Sequence, residues 1–302
     1  VLLGGFHTSQ IGQRLIVTSL VILALSVVGS AAIAAPCDYE TAYSCALIAD
    51  RIDGDDSVKA LVLDTFVNSV VDIDDPTYLG TRYSRALDAV VSSRGPEGPR
   101  SVVYIGGAGM TLPRYYHATA GSLAVVLELD EALPEIAERD LGLAPGPWWR
   151  VMSGDARLTR RGLAEGQFDV AVGDAFSGRS VPWHLTTVEF LEDIEAVLEP
   201  GGLYVMNLID HPPLGFAKAE VATLLEVFDH VVVVAPQQLL DGERGGNYIV
   251  AGSNEPIEPA AVAAHLVDGE SVIADGELEA WVGGAPSLTD SYAPVDQLLS
   301  RP

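Results

Sequence analysis

Cysteine is scarce in this sequence: the 302 residues include two, Cys37 and Cys45. Two cysteines exclude a disulfide framework, and they form no zinc-ligand spacing with the six scattered histidines. They still permit one local disulfide if this part of the chain lies in an oxidising compartment. The sequence therefore predicts no metal site.

Positive charge is also scarce. The chain has 17 lysines and arginines against 42 aspartates and glutamates, a formal net charge of −25, and lysine occurs only at positions 59 and 218. Because nucleic-acid phosphates bind to basic surfaces, this balance excludes a nucleic-acid partner. Two interpretations of the acidic excess remain open, namely attraction of a cationic substrate and a solvated surface adapted to solubility or salt.

Long hydrophobic runs are absent from most of the chain, but one occurs near its start. Residues 15–35 are almost wholly apolar, about as long as a bilayer-spanning helix, and preceded by Arg14. The run is either a transmembrane anchor, which we favour, or a signal peptide cleaved after Ala34. The basic residue before the run and the acids after it favour placing residues from 36 onward outside the cytoplasm. We therefore expect a membrane-anchored protein, with the side of the membrane left open.

The pattern of apolar runs and turns divides the chain into four parts. These are the membrane or signal segment 1–35, a small β region 36–76, a Rossmann-like domain 77–255 and a C-terminal tail 256–302 packed on that domain. Short apolar runs predict strands in the β region. Strands and helices then alternate with short connections, which predicts an α/β domain with a doubly wound parallel sheet.

The centre of the chain carries a motif typical of nucleoside binding. The apolar strand 101–105 is followed at once by the glycine-rich loop 106–109, then by a helix and a second strand that ends at Glu128 and Asp130. Turn glycines let backbone amides and a helix N-terminus approach a ligand closely. An acid at the end of the second strand can accept hydrogen bonds from ribose hydroxyls. Together they favour a nucleoside-type ligand over a purely structural turn.

Further acids follow the next two predicted strands, at Asp155 and Asp174. Ligands of an open parallel sheet bind beyond the carboxyl ends of its strands, so these acids are expected to meet Glu128 there. We expect Glu128 to hold the ribose and Asp155 the exocyclic amine of the base. Asp174 would face the reacting group, hold a substrate amine and accept its proton. An alternative remains open for Asp174, since a strand-end aspartate is often only a cap.

With these residues placed, the chain from about Leu61 to Pro236 resembles the spermidine/spermine synthase family, the aminopropyltransferases of polyamine biosynthesis. It is most similar to the membrane-fused actinobacterial type. The matching motifs are Leu63-Asp64 with Asn68, a substrate-site tyrosine at Tyr83, the glycine loop 105–109, Leu127–Asp130, Gly154-Asp155 and the strand 168–173 leading to Asp174.

The resemblance implies a class I S-adenosylmethionine-binding fold and a transferase that uses decarboxylated S-adenosylmethionine as co-substrate and requires no metal. It also implies a small cationic amine such as putrescine as acceptor, and a homodimer. The residues that it implies are Asp174 as the catalytic residue, Gly106, Gly107, Gly109, Glu128, Asp130 and Asp155 for the cofactor, and Asn68, Tyr83 and Ser177 for the substrate.

The chain departs from the family pattern at three positions. Where the family has an acidic residue, this chain has Gly109, Ser177 and Arg85. Each loss removes a partner for an ammonium group, an interaction of about 1.5–3 kcal/mol per charged hydrogen bond. We favour an aminopropyltransferase. One alternative is an S-adenosylmethionine-dependent methyltransferase, since a glycine at position 109 removes a charge that would repel a cofactor carboxylate. The other is a non-catalytic nucleoside-binding domain of a membrane protein.

Overall fold

The computed structural model describes residues 37–50, 54–95, 98–144 and 146–300. The apolar segment predicted to enter a membrane, residues 15–35, lies outside this part of the chain. Over the described residues, none of the helices combines the length and apolar character needed to cross a bilayer.

The first described elements form a four-stranded antiparallel sheet. Its strands, in spatial order, are β1 (Tyr39–Glu40), β2 (Cys45–Asp50), β3 (Val58–Leu63) and β4 (Phe66–Asp72). The sequence predicts three of these strands, at 46–51, 59–64 and 67–72, and does not predict β1. The turn between β3 and β4 begins at Asp64, which adopts φ 56°. Cys37 and Cys45 form a disulfide, as the sequence permits, with their Cα atoms 5.3 Å apart.

The rest of the chain alternates between helices and strands. In chain order the elements are α1 (Arg82–Ser92), β5 (Ser101–Ile105), α2 (Thr111–Ala120), β6 (Leu123–Glu128), α3 (Ala132–Asp140), β7 (Trp149–Ser153), α4 (Ala156–Thr159), β8 (Phe168–Gly173), α5 (Val188–Glu195), β9 (Leu198–Asp210), α6 (Gly215–Leu225), β10 (His230–Pro236), α7 (Gln237–Leu240), β11 (Gly246–Ser253), α8 (Pro259–His265), β12 (Glu270–Ala274), α9 (Asp275–Val282) and α10 (Val295–Leu298). Short 3₁₀ helices cover Arg160–Gly162 and Trp183–Leu185.

The main sheet has eight strands in the order β12-β10-β11-β9-β8-β5-β6-β7. The five from β9 to β7 are parallel, which confirms the predicted Rossmann-like core. The prediction of a parallel sheet is wrong at the other end, where β11 runs antiparallel to β9 and β10, and β12 runs antiparallel to β10. For β11 the short link 237–245 is the reason, because a parallel crossover from β10 needs about a dozen residues or more. The strand β12 was not predicted.

Helices cover both faces of the main sheet. Neighbouring residues of β5 belong to opposite layers, with Val103 packed in one hydrophobic cluster and Tyr104 in the other. This alternation is the period-two geometry of a strand. Phe190 of α5 and Phe216 of α6 pack in the cluster of Val103. The opposite layer contains buried side chains of α1, α3 and α8.

One helix boundary differs from its predicted position in a way that affects the site. The sequence, with Pro182 before and Pro200 after the segment, predicts a single helix over 184–198, whereas a 3₁₀ turn, Trp183–Leu185, precedes α5, which begins at Val188. The side chain of Thr187 caps α5 by accepting a hydrogen bond from the Phe190 amide at 3.3 Å. Because the helix is interrupted there, His184 lies on the 3₁₀ turn and not on α5.

Candidate active site

A cavity of about 260 Å³ opens at the carboxyl ends of the parallel strands. Most residues predicted for the site line it. They are Asn68, Gly106, Gly107, Glu128, Asp130, Asp155, Asp174 and Ser177. Two predicted residues lie behind the wall: the Tyr83 hydroxyl is 3.3 Å from Oδ2 of Asp174, and the Gly109 amide faces Ser69.

The glycine loop lies tightly against the end of β8. Gly106 adopts φ 87°, and a Cβ there would be 2.6 Å from the carbonyl oxygen of Asp174. A side chain at this position would therefore both strain the backbone and push the loop away from β8. The close approach places the loop amides at the cavity.

Glu128 lies at the end of β6 and is 6% exposed. Its Oε2 accepts hydrogen bonds from the amides of Gly107 (2.8 Å) and Ala108 (3.2 Å), and its Oε1 accepts one from Asp130 (3.0 Å). Burial raises the pKa of Glu128, while these three amides act in the opposite direction. The carboxylate is thus fixed beside the glycine loop, where it can accept hydrogen bonds from a diol.

Asp130 joins the main sheet to the N-terminal sheet. Its Oδ2 accepts a hydrogen bond of 2.5 Å from Oγ1 of Thr41, which lies within the loop closed by the disulfide, and its Oδ1 accepts one from Ala132 at 3.1 Å. Tyr43 and Ser44 of the same loop line the cavity. The small N-terminal sheet therefore supplies one wall of the site.

Asp155 caps α4, since its Oδ1 accepts a hydrogen bond of 2.9 Å from the Arg157 amide. Its Oδ2 lies 2.9 Å from Nε2 of His184, which also lines the cavity. His184 was not predicted as a site residue. No spacing pattern could reveal it, because the two residues meet only when the turn after Pro182 folds over the end of β7.

Asp174 lies at the inner end of the cavity and is held through both oxygens. Asn207 donates to Oδ1 at 2.9 Å, and the Tyr83 hydroxyl donates to Oδ2 at 3.3 Å. Asn247 in turn donates to Oδ1 of Asn207 at 2.9 Å. Burial raises the pKa of Asp174 to about 6, although the bonds from Asn207 and Tyr83 act to lower it. Its oxygens thus accept from side chains outside its own loop, which argues against a role as a cap only.

The two asparagines behind Asp174 were also missed. Asn207 interrupts the apolar strand β9, and Asn247 is near the start of β11. A single amide within an otherwise apolar strand is a usable signal, because buried polar groups require hydrogen-bond partners. The sequence does not reveal which residue is the partner, because Asn207 and Asn247 meet only when β9 and β11 pair in an antiparallel manner.

No protein-family model matches this chain. Two curated proteins are similar to parts of it, and both are named polyamine aminopropyltransferase. The protein from Vibrio vulnificus is 38% identical over 84 residues, which are 27% of this chain and 28% of that protein. The protein from Chromobacterium violaceum is 28% identical over 149 residues, 47% of this chain and 54% of that protein. The match thus spans about a quarter and about half of the lengths of these relatives.

The solved structures agree with these names. A probable spermidine synthase from Corynebacterium glutamicum is 27% identical and gives a TM-score of 0.77 over 87% of this chain and 98% of its own. Over most of its length this chain is therefore similar to a probable spermidine synthase. A spermidine synthase bound to the transition-state analogue AdoDATO gives a TM-score of 0.56 at 18% identity, covering 82% of this chain and 83% of its own. Human methyltransferase-like protein 13 bound to SAH gives 0.52 at 19% identity, covering 72% and 100%. These last two show a shared methyltransferase-type fold.

The three departures from the spermidine synthase pattern each have a structural counterpart. Gly109 donates from its amide to Oγ of Ser69 at 3.0 Å, and a Cβ there would be 2.7 Å from Cβ of Ser69. Arg85 pairs with Asp268 at 2.6 Å, beside β12. Ser177 is exposed and its amide bonds to the carbonyl of Ser180 at 2.8 Å. Position 109 is therefore filled by packing and has no room for a side chain.

Metal ligands do not gather at the site. Throughout the described part of the chain, histidine, cysteine, aspartate and glutamate side chains form no group of three or more that could hold a metal ion.

Proposed function

We propose that this protein is a spermidine synthase-like aminopropyltransferase, which moves an aminopropyl group from decarboxylated S-adenosylmethionine to a small amine such as putrescine. The observation that carries the proposal is the environment of Asp174. A half-buried carboxylate, whose pKa is raised by desolvation to about 6, faces a cavity whose other walls present Glu128 and Asp155. A carboxylate of that pKa is ionised at neutral pH and can still accept a proton.

The chemistry assigned to Asp174 is binding and deprotonation of the acceptor amine. The amine nitrogen attacks the aminopropyl carbon next to the sulfonium, the carbon–sulfur bond breaks, and its electrons stay on sulfur as 5′-methylthioadenosine leaves. The proton of the attacking nitrogen passes to Asp174. Tyr83 and Asn207 hold this carboxylate in place through its two oxygens. The main tasks of the protein are therefore alignment and proton removal.

The nucleoside half of the proposed site lies around the glycine loop. Glu128 would accept hydrogen bonds from the ribose hydroxyls, in place of some of the loop amides that it now binds. Asp155 would accept one from the base amine. Asn68 and Ser177 line the cavity together with Asp174 and would contact the acceptor. The side-chain oxygen of Asn68 is buried without a hydrogen-bond partner, so it is free to accept one from an ammonium group.

A specific observation favours one alternative, an S-adenosylmethionine-dependent methyltransferase. Position 109, where the resemblance places an acid that grips the aminopropyl amine, is a glycine packed against Ser69. Intact S-adenosylmethionine carries a carboxylate, which would meet no repelling charge at this position.

Several predictions drawn from the sequence stay predictions. They concern the domain boundaries, membrane anchoring through residues 15–35, the membrane-fused type and the homodimer.

The proposal is tested by offering the protein both cofactors with putrescine and following the products by mass spectrometry. We expect spermidine and 5′-methylthioadenosine to form from the decarboxylated cofactor. Calorimetry should show tighter binding of this form than of intact S-adenosylmethionine. A methylated product, or preference for the intact cofactor, would replace the proposal with the methyltransferase alternative.

A further inference from the structure

Asp155, to which we assign the base, is held by two elements at once. The main chain at the start of α4 binds its Oδ1, and His184 Nε2 lies 2.9 Å from its Oδ2. Because a carboxylate only accepts hydrogen bonds, the Nε2 proton is directed at Asp155 and is not available to a ligand. Both side chains are partly exposed at the cavity, at 34% for Asp155 and 28% for His184.

His184 is itself held in place by a clamp. Arg157 donates from Nη1 to the carbonyl oxygen of His184 at 2.8 Å. The same guanidinium forms two bonds of 2.7 Å to the two carboxylate oxygens of Asp290, a bidentate arrangement that fixes its orientation. Thr187 completes the clamp, since its hydroxyl donates to Asp290 at 2.8 Å. The turn that carries His184 is therefore tied to α4 and to the C-terminal segment.

We propose that His184 is a positioning residue that sets the base selectivity of the site, favouring a 6-aminopurine over a 6-oxopurine. By donating to Oδ2, it orients the Asp155 carboxylate so that the remaining lone pairs accept the exocyclic amine. Because its own Nε2 proton is committed to Asp155, it offers no donor to a 6-oxo group. Asp155 thus presents acceptors to the 6-position of the base, and His184 adds no Nε2 donor there. This inference rests on the proposed nucleoside site.

The experiment compares two ligands that differ at this position, 5′-methylthioadenosine and 5′-methylthioinosine. Their dissociation constants are measured by calorimetry on the full chain and on the variants His184→Ala and His184→Gln. A matched control is His265→Ala, since this histidine is exposed on α8. We expect the wild-type protein to prefer the adenosine ligand. Loss of the orienting donor in His184→Ala should reduce that preference by about tenfold, the scale of one well-placed polar contact.

The glutamine variant keeps the inference falsifiable, because its amide can still donate to Asp155. It should restore most of the preference, and the control should leave the preference unchanged. If His184→Ala weakens the binding of both ligands equally, the role of His184 is merely structural and the inference is overturned. The inference is also overturned if the substitution changes neither dissociation constant. If the wild-type protein binds neither ligand, the proposed nucleoside site itself fails. If the wild-type protein binds the adenosine ligand, but the ratio of the two dissociation constants is the same in the His184 variants, only the inference fails.

Discussion

The side-chain amide of Asn207 donates a hydrogen bond of 2.9 Å to Oδ1 of Asp174. This bond stabilises the ionised carboxylate and so opposes the effect of burial, which raises the pKa of Asp174 to about 6. Asn247 holds the oxygen of the Asn207 amide and thereby directs its nitrogen toward Asp174. The relationship makes the proton affinity of the proposed base dependent on two residues that cannot titrate.

Replacing Asn207 with leucine should shift the pH profile of the reaction. The proposed reaction requires ionised Asp174, so its rate should fall as the pH drops through the pKa of this group. Without the amide donor that pKa rises further, and the acid limb of kcat/KM should move to higher pH. Asn254→Leu is the matched control, because Asn254 is exposed and bonds to Asp229 and Glu195 instead. An acid limb at the same pH in both variants would refute the role of Asn207.

Asp174→Asn should lower turnover at least about a hundredfold, the usual contribution of a general base, while 5′-methylthioadenosine still binds. The exposed Asp229→Asn is the control. Product formation is measured at saturating substrate, and binding by calorimetry. If the asparagine variant remains fully active, Asp174 is not the base.

The same variant should also change the pH dependence of stability. A carboxyl whose pKa is raised by folding contributes stability that is fully present below pH 3.8 and is lost as the pH rises through about 6. Asparagine does not ionise, so the stability of Asp174→Asn relative to the wild-type protein should increase as the pH rises from 3.8 through about 6 and then level off, as measured by denaturant unfolding. The gain should not exceed about 3 kcal/mol, the equivalent of two pKa units. A constant difference across this range would contradict the assignment of the shift.

Gly109→Asp should not restore the family carboxylate. The added Cβ would meet Cβ of Ser69 at 2.7 Å and Cδ1 of Leu141 at 3.1 Å, so we expect a loss of about 1–3 kcal/mol of stability from overpacking. Ser69→Gly in the same chain should recover part of it, which a double-mutant cycle measures. Gly276→Asp is the control, since a Cβ there meets nothing within 4 Å. A stable single variant would show that the loop has room.

Replacing both Cys37 and Cys45 with serine should weaken nucleoside binding as well as the fold. The disulfide closes the short loop that carries Thr41 to Asp130 and Tyr43 to the cavity. Opening a loop of this length removes about 2–3 kcal/mol of stability in the chain-entropy account. Thr41→Val is the companion variant, because it removes the contact with Asp130 and leaves the disulfide intact. We expect both to raise the Kd for 5′-methylthioadenosine, and unchanged affinity in both would exclude this loop from the site.

The sequence predicts the part of the site around the glycine loop because that part is encoded locally. The loop 106–109 follows directly after β5, and the parallel core brings the ends of β6, β7 and β8 to the same edge, so Glu128 and Asp155 are placed by topology. The partners of Asp155 and Asp174 are not local. His184 depends on where the Thr187 cap starts α5, and Asn247 depends on the direction of β11.

The reversed direction of β11 has a consequence for how much of the chain the reaction needs. In a wholly parallel sheet, a residue near the beginning of a strand lies on the rim opposite the ligand. Since β11 runs the other way, Asn247, near its beginning, lies opposite Ile209 near the end of β9 and reaches the chemistry through Asn207. A version of this protein shortened before residue 246 would keep Glu128, Asp130, Asp155 and Asp174 and still lose the asparagine that supports the proposed base from behind.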